Sequence, residues 1–373
     1  MLYCAINKIL TKHCRYSTLL FLFTLLPAHW LVAQTDFHRS AAVDQAIQAE
    51  MKRQNVVGAA VAVISNSKVV YQKGYGFANL RDRTPVTVDS VFNWASNSKP
   101  VMAILALQLV QDGKLDLDAP IRNYLPEIGD QFAEISTRHL LCHQSGIPHY
   151  SNGRIVASGK RAKPEAELDP RESLKRFGKS ELLFEPGAKT SYSSYAYVLL
   201  SAVVQAAGKQ EIASQLSERI TGRLKMDSFQ LDVPFDGQPN WVTGYRMLLG
   251  IVAPVPDYSH AWKHGAGGYK SNIGDFSKFA LALSNQSLID ADTTKKMWTN
   301  QTESGGEKSE YGLGVAVSGQ NDTLKVTHNG SQDETRTRMV IYPNRKRGVV
   351  FMSNTTGIDP VRFTTAVYSA LED

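Results

Sequence analysis

Apolar positions recur with a helical period at Val43, Ala46, Ile47 and Met51, so the spacing predicts a helix over 43–53. Two β-rich runs follow, Val57 to Ile64 and Lys68 to Tyr75, joined by Ser65-Asn66-Ser67 as a hairpin turn. Pro100 to Gln111 is apolar almost all round and meets Gly113 where a stop belongs, the pattern of a buried helix. Residues 151–170 are polar and rich in Gly, Lys, Glu and Pro, a surface excursion. Asp169-Pro170 then reads as a cap and first helical residue, opening a helix through Phe177. Further helices are predicted over Ser193 to Ala207, closed by Gly208, over Asp275 to Leu283, and over Val361 to Leu371. The C-terminal part returns to strands at Gly312 to Val317, Thr323 to His328, Arg336 to Tyr342 and Gly348 to Ser353, the last two joined by the turn Asn344 to Arg347.

Strands at both ends with helices between them predict an α/β (α+β) fold. N- and C-terminal strands share one antiparallel sheet covered by helices, and a mostly helical lobe is inserted between them. No internal repeat is present.

The first 34 residues stand apart. Lys8, Lys12 and Arg15 are their only charges and precede an apolar run from Tyr16 to Leu26, then Pro27 and the small-residue site Val32-Ala33-Gln34. That order is the order of a secretory signal peptide, which places the folded domain at 35–373 and the mature protein in the periplasm or outside the cell. The competing reading is an uncleaved anchor extending to Ala33, which Pro27 and His29 interrupt. Removing the segment leaves Cys142 as the lone cysteine, so core packing rather than a disulfide must stabilise the fold. It also lowers the formal charge from +6 to about +3, which speaks against a nucleic-acid partner. The mature form is expected to have no membrane span.

A serine nucleophile needs a base within hydrogen-bond reach. Ser96-Asn97-Ser98-Lys99, running into the Pro100 helix, sets a lysine one turn from a serine on the same face. The helix start also offers free N–H groups and the positive dipole end to an oxyanion. The same tetrapeptide, Ser65-Asn66-Ser67-Lys68, occurs in the hairpin, where Ser and Asn serve the turn. Only the second copy is followed by a buried helix that would desolvate its lysine, lowering the pKa so that it can act as a base.

Ser96-x-x-Lys99, Leu115-Asp116-Leu117-Asp118-Ala119-Pro120 and His139 to Ile147 (HLLCHQSGI), with Tyr192-Ser193-Ser194 and His328-Asn329-Gly330 at a strand end, resemble the serine β-lactamase and penicillin-binding-protein-like superfamily of the class C type. Gly265-Ala266-Gly267-Gly268, followed by Ser271 and Asp275, is similar to a loop of that family. The motifs look most like those of the mitochondrial β-lactamase-like serine peptidases. The resemblance implies that Ser96 forms an acyl-enzyme, that Lys99 and a pKa-depressed Tyr192 share the protons, and that the N–H groups of Ser96 and Ser331 form the oxyanion hole. It implies that His328 helps place a substrate carboxylate or the tyrosine proton, alongside Asn329 and Gly330. Ser194 replaces the expected asparagine, which removes an amide contact to Lys99 and to the substrate and shifts the expectation from β-lactams toward peptides or esters.

The expected activity is therefore hydrolysis of a peptide, amide or ester of modest size, a small-molecule or short-peptide substrate, without a cofactor. Two alternatives remain: a catalytically silent binding or scaffold protein on the same fold, and a zinc hydrolase built on His139, Cys142, His143 and His149. Against the zinc reading, His-Glu-x-x-His is absent and Leu140 and Leu141 look like packing residues at a helix end. Neither a Gly-x-Ser-x-Gly elbow nor a phosphate loop is present. Lys160, Arg161 and Lys163 are offset by Glu165, Glu167 and Asp169, as on a solvated face.

Overall fold

In the computed structural model, residues 37–160, 168–233, 240–248, 251–256 and 258–372 are described. The N-terminal 34-residue segment and residues 161–167 of the polar excursion lie outside them.

Seven strands form the main sheet: β1 (Gly58–Ser65), β2 (Lys68–Asn79), β3 (Thr84–Pro85), β4 (Ala316–Ser318), β5 (Lys325–Gln332), β6 (Thr335–Tyr342) and β7 (Arg347–Ser353). Their order is β3-β2-β1-β7-β6-β5-β4. The two ends of the domain meet where β1 pairs antiparallel with β7, Ala59 opposite Ser353 and Ser65 opposite Arg347. The β1–β2 turn places Asn66 and Ser67 at φ 51° and 58°, the double left-handed turn whose twist matches a hairpin. That turn holds the decoy tetrapeptide, with Ser65 paired to Lys68 across the ladder.

Both faces of this sheet are covered. Ala59, Val61 and Val63 of β1 face one apolar cluster, with Val43 and Ile47 of α1 (Ser40–Gln54) and with Phe363 and Val367 of the C-terminal helix Pro360–Glu372. The alternate residues Ala60, Ala62 and Ile64 face the larger cluster. There they meet α2 (Ser98–Gln111), α3 (Ser194–Gly208) and α4 (Ile273–Ser284). Since the side-chain period of a strand is two, covering both faces makes β1 apolar throughout, as GAAVAVIS reads. The C-terminal helix is α5. Its Phe363 is fully buried and stacks on Phe351 at 4.4 Å between ring centroids. Phe363→Ala should cost about 3–5 kcal/mol. Urea unfolding should show this as a lower midpoint at unchanged m; a loss below about 1 kcal/mol would mean that this layer contributes little.

The architecture is the expected one, with shifts at particular elements. The strand expected over 312–317 is confined to Ala316–Ser318, because Gly314 sits at φ 88° and breaks the extended run. The strand expected to end at His328 continues to Gln332, so His328-Asn329-Gly330-Ser331 lies within β5 rather than at its end. The helix opened by Asp169 spans only Pro170–Leu174, although Asp169 caps it as expected by accepting from the Arg171 N–H at 3.0 Å. The unpatterned segment after 235 contains a two-stranded hairpin, Tyr245–Leu248 with Ile251–Pro254. Cys142 is free and buried, and burial pushes its thiol up to about 12, so it stays protonated. Among the described residues no helix is long and apolar enough to cross a membrane.

Candidate active site

Ser96 lies in a 3-10 turn, Ala95–Asn97, that leads directly into α2. Several contacts pin this turn. The Trp94 N–H donates to Tyr269 O at 2.8 Å, and Trp94 O accepts from the Thr337 hydroxyl of β6 at 2.7 Å. The Trp94 ring is fully buried against Phe276 of α4, and its indole N–H donates to Ser271 Oγ at 2.8 Å. The Ala95 N–H donates to Asn93 Oδ1 at 2.6 Å. Held in this way, Ala95 adopts φ 47°, a left-handed conformation that costs a non-glycine residue about 1 kcal/mol or more and turns the next side chain into the cleft. Ser96 is half-buried and lines that cleft, whose volume is about 500 Å³.

Lys99 sits one turn along, fully buried. Its Nζ lies 3.1 Å from Ser96 Oγ, 3.1 Å from Ser194 Oγ and 2.6 Å from Ala266 O. Burial holds its pKa well below the ordinary lysine value, and the positive charge of Lys263 pushes the same way. A neutral amine has two N–H groups and one lone pair. The Ala266 carbonyl can only accept, and the Ser194 hydroxyl takes the second N–H, which leaves the lone pair for the Ser96 proton. The loop Gly265 to Gly268 thus contributes a backbone acceptor that orients the base. Ser194 keeps the contact to Lys99 that the sequence suggested was lost with the asparagine amide.

Tyr192 precedes α3, with Lys99 Nζ 5.0 Å from its ring centroid. Its pKa is raised by burial, against the pull of the nearby Ser96 and Ser194 hydroxyls, so the expected depressed tyrosine is not found. Its ring packs against His143 at 4.3 Å and His149 at 5.4 Å. The Nδ1 atoms of these histidines accept from the Ser193 and Ser194 N–H groups at 3.3 and 3.2 Å, satisfying donors at the start of α3. Burial pushes His149 down to about 4, and His143 is likewise held well below the usual range. His139 instead accepts at Nδ1 from the Ser136 N–H at 3.2 Å in a capping box. Among the described residues, His139, Cys142, His143 and His149 do not gather as a set of metal ligands; the one such group is Asp232, His260 and Glu334.

The opposite wall is β5. Strand β4 pairs only with Lys325–Thr327, so His328–Gln332 has no β4 partner along the cleft-facing edge. His328, Asn329 and Ser331 line the cleft there. Gly330 allows the close approach of the strand to the nucleophile turn: a Cβ on it would lie 2.1 Å from Thr337 Oγ1 and 2.4 Å from Trp94 O. His328 is buried, and that desolvation pushes it down to about 3. Its Nδ1 lies 2.8 Å from Asn329 O, an acceptor, so the proton of the neutral ring sits on Nδ1. A neutral His328 cannot supply charge to a substrate carboxylate.

The structure therefore brings Ser96, Lys99, Tyr192, Ser194, His328, Asn329 and Ser331 together around one cleft, with Gly330 setting the spacing. Tyr150, Lys263, Glu310 and Tyr311, which carry no motif, line it as well.

Comparison with known proteins identifies the family. The profile of the Beta-lactamase family matches residues 43–372. Esterase EstB of Burkholderia gladioli is 30% identical over 239 residues, covering 58% of this chain and 59% of EstB. The serine beta-lactamase-like protein LACTB, mitochondrial, of Mus musculus is 24% identical over 350 residues, covering 70% of this chain and 63% of LACTB. This chain thus spans about three fifths of the length of these curated relatives. A D-amino acid amidase from Ochrobactrum anthropi SV3, solved with D-phenylalanine, superposes with a TM-score of 0.75 at 21% identity, over 90% of this chain and 99% of that one. With its Ser-x-x-Lys turn, tyrosine motif and open β5 edge around one cleft, the chain belongs to the Beta-lactamase family of serine hydrolases.

Proposed function

We propose that this protein hydrolyses a small ester, amide or short peptide through an acyl-enzyme on Ser96. The observation that carries this reading is the contact set of buried Lys99, whose Nζ lies 2.6 Å from Ala266 O, 3.1 Å from Ser194 Oγ and 3.1 Å from Ser96 Oγ, so that in its neutral form the lone pair can meet the Ser96 hydroxyl. Neutral Lys99 takes the Ser96 proton as Oγ attacks the carbonyl. The oxyanion is held by the N–H groups of Ser96 and Ser331, each worth roughly 3 kcal/mol of barrier. Tyr192, kept protonated, gives its proton to the leaving group and regains one from the Lys99 ammonium. Water then enters along the same path and releases the acid. The esterase and the amidase among the similar proteins are compatible with either leaving group. The order of charged, apolar and small residues in the first 34 positions supports export of this enzyme before it acts.

The test is a panel of phenyl esters, D-amino-acid amides and peptides, and nitrocefin, run with and without a chelator. We expect turnover of at least one ester or amide, slower turnover of nitrocefin, and no effect of chelation. A protein that turns over none of them is a silent relative of the family; one stopped by the chelator works through a metal.

A further inference from the structure

The two N–H groups assigned to the oxyanion belong to separate elements, and one side chain spans the gap between them. Ser96 lies on the Ala95–Asn97 turn and Ser331 on β5. Asn93 Oδ1 accepts from the Ala95 N–H at 2.6 Å, one residue before Ser96. The same oxygen accepts from the side-chain amide of Gln332, one residue after Ser331. Gln332 is anchored in turn, since its amide also donates to Gly267 O at 2.9 Å. Asn93 is buried behind the cleft and not on its wall, so it meets the turn and the strand without meeting the substrate.

A buried carboxylate decides which way this amide points. Asp232 is fully buried. Its Oδ2 accepts from Asn93 Nδ2 at 2.6 Å and from the His260 N–H at 3.2 Å, and its Oδ1 faces Lys270 Nζ at 2.7 Å. Paired with Lys270, the carboxylate can only accept, so the amide end that faces it is the NH₂. The oxygen is then left for the Ala95 and Gln332 donors. Lys270 stands opposite Asn93 in the short antiparallel pair of Phe92–Asn93 with Tyr269–Ser271, and its ammonium lies 3.9 Å from the Trp241 ring centroid. A buried ion pair is costly to desolvate. Here it fixes one amide, and that amide holds Ala95 at φ 47°, the bend from which the Ser96 N–H takes its direction.

We propose that Asn93 is a positioning residue for acyl transfer: oriented by the buried Asp232–Lys270 pair, its amide oxygen clamps the nucleophile turn to β5 through Gln332 and so sets the spacing of the Ser96 and Ser331 N–H groups around the oxyanion. This deepens the acyl-transfer reading and rests on it. Because the clamp acts on donors that serve the charge developing in the transition state, its loss is felt in kcat and in the binding of tetrahedral anions, and little in KM.

Three measurements test it: steady-state kinetics on the ester that the wild type turns over best, the affinity for phenylboronic acid, which becomes a tetrahedral anion on a nucleophilic serine, and a thermal melt. Asn93→Ala should lower kcat about 10²-fold with KM changed by less than about three-fold, and should weaken phenylboronic acid by a factor similar to that in kcat. Asn93→Asp sets two carboxylates face to face and should be slowed likewise. Combining it with Asp232→Asn exchanges amide and acid, restores a donor between them, and should bring kcat back to within about ten-fold of wild type. Gln332→Met cuts only the β5 side, leaves the buried pair untouched, and should lower kcat about ten-fold. A folded Asn93→Ala with kcat and phenylboronic acid affinity within about three-fold of wild type overturns the clamp. So does a lowered melting temperature with kcat per folded molecule unchanged, an exchanged pair no faster than Asn93→Asp, or a Gln332→Met enzyme equal to wild type. If the Asn93 variants do not fold, Gln332→Met alone decides. A wild type that turns over no ester and does not bind phenylboronic acid overturns the acyl-transfer reading and the clamp with it, whereas unaffected variants of an active wild type overturn the clamp alone.

Discussion

Ser96→Ala should lower kcat/KM for any substrate the protein turns over by at least about 10⁴-fold, while leaving the fold intact. The loss is large because no other hydroxyl can take its place. Ser194 Oγ also reaches Lys99 at 3.1 Å, but it sits at the start of α3 and not on the Ala95–Asn97 turn. Ser98, the other serine of the motif, is buried and receives the Tyr269 N–H at 3.3 Å. The substitution removes an oxygen from a half-buried position, so its effect on stability should be within about 1 kcal/mol. Steady-state kinetics beside a thermal melt separate the two effects. A residual rate above a few per cent of wild type, in a folded variant, would assign the chemistry to another group.

Lys99→Met should cost about 10³- to 10⁴-fold in kcat, close to the upper range for loss of a positioned base. Methionine fills the buried volume without a lone pair, leaving Ser96 with no acceptor for its proton. The sign of the pH dependence follows from burial. Lys99 works only when deprotonated, and desolvation holds its pKa well below the ordinary 10.5. The wild-type rate should therefore rise with pH through that lowered pKa and level off well before ordinary lysines titrate. In Lys99→Met the limb should vanish. Lys99→Arg should be as inactive as Lys99→Met, since a guanidinium keeps its proton. Combining Ser96→Ala with Lys99→Met should cost no more than Ser96→Ala alone, because the pair acts as one unit. A wild-type profile rising only near the ordinary lysine range would show that Lys99 is not the base.

Much of this site can be read in the sequence, because its groups sit on regular elements. Ser96 and Lys99 share a face through helical spacing, and the buried helix that follows separates them from the copy at Ser65 to Lys68, where Asn66 and Ser67 make a tight turn. Tyr192 and Ser194 stand beside the Ser193 cap of α3, whose hydroxyl accepts from the Ala196 N–H at 3.2 Å. Strands β1 and β7 are legible because burial of both faces makes them almost continuously apolar. What escapes the sequence is decided by tertiary contacts. Asn329 and Ser331 fall inside a longer strand because β5 continues past the point where β4 stops. The state of Tyr192 depends on what covers it, and burial raises its pKa against the pull of the Ser96 and Ser194 hydroxyls. Lys263 carries no local signature; its place beside Gln332 is set by a loop in which His264 adopts φ 43°. The histidines 139 to 149 look alike in sequence, yet one caps a helix and two brace Tyr192.

The central claim is that Ser96 becomes acylated during turnover. The most direct measurement is the mass of the protein quenched in acid during hydrolysis of a slowly deacylating ester, followed by peptide mapping. A mass increase equal to the acyl group is expected, confined to the peptide that contains Ser96 and absent from Ser96→Ala. An acyl group on any other residue, or steady turnover with no covalent species under single-turnover conditions, would contradict it.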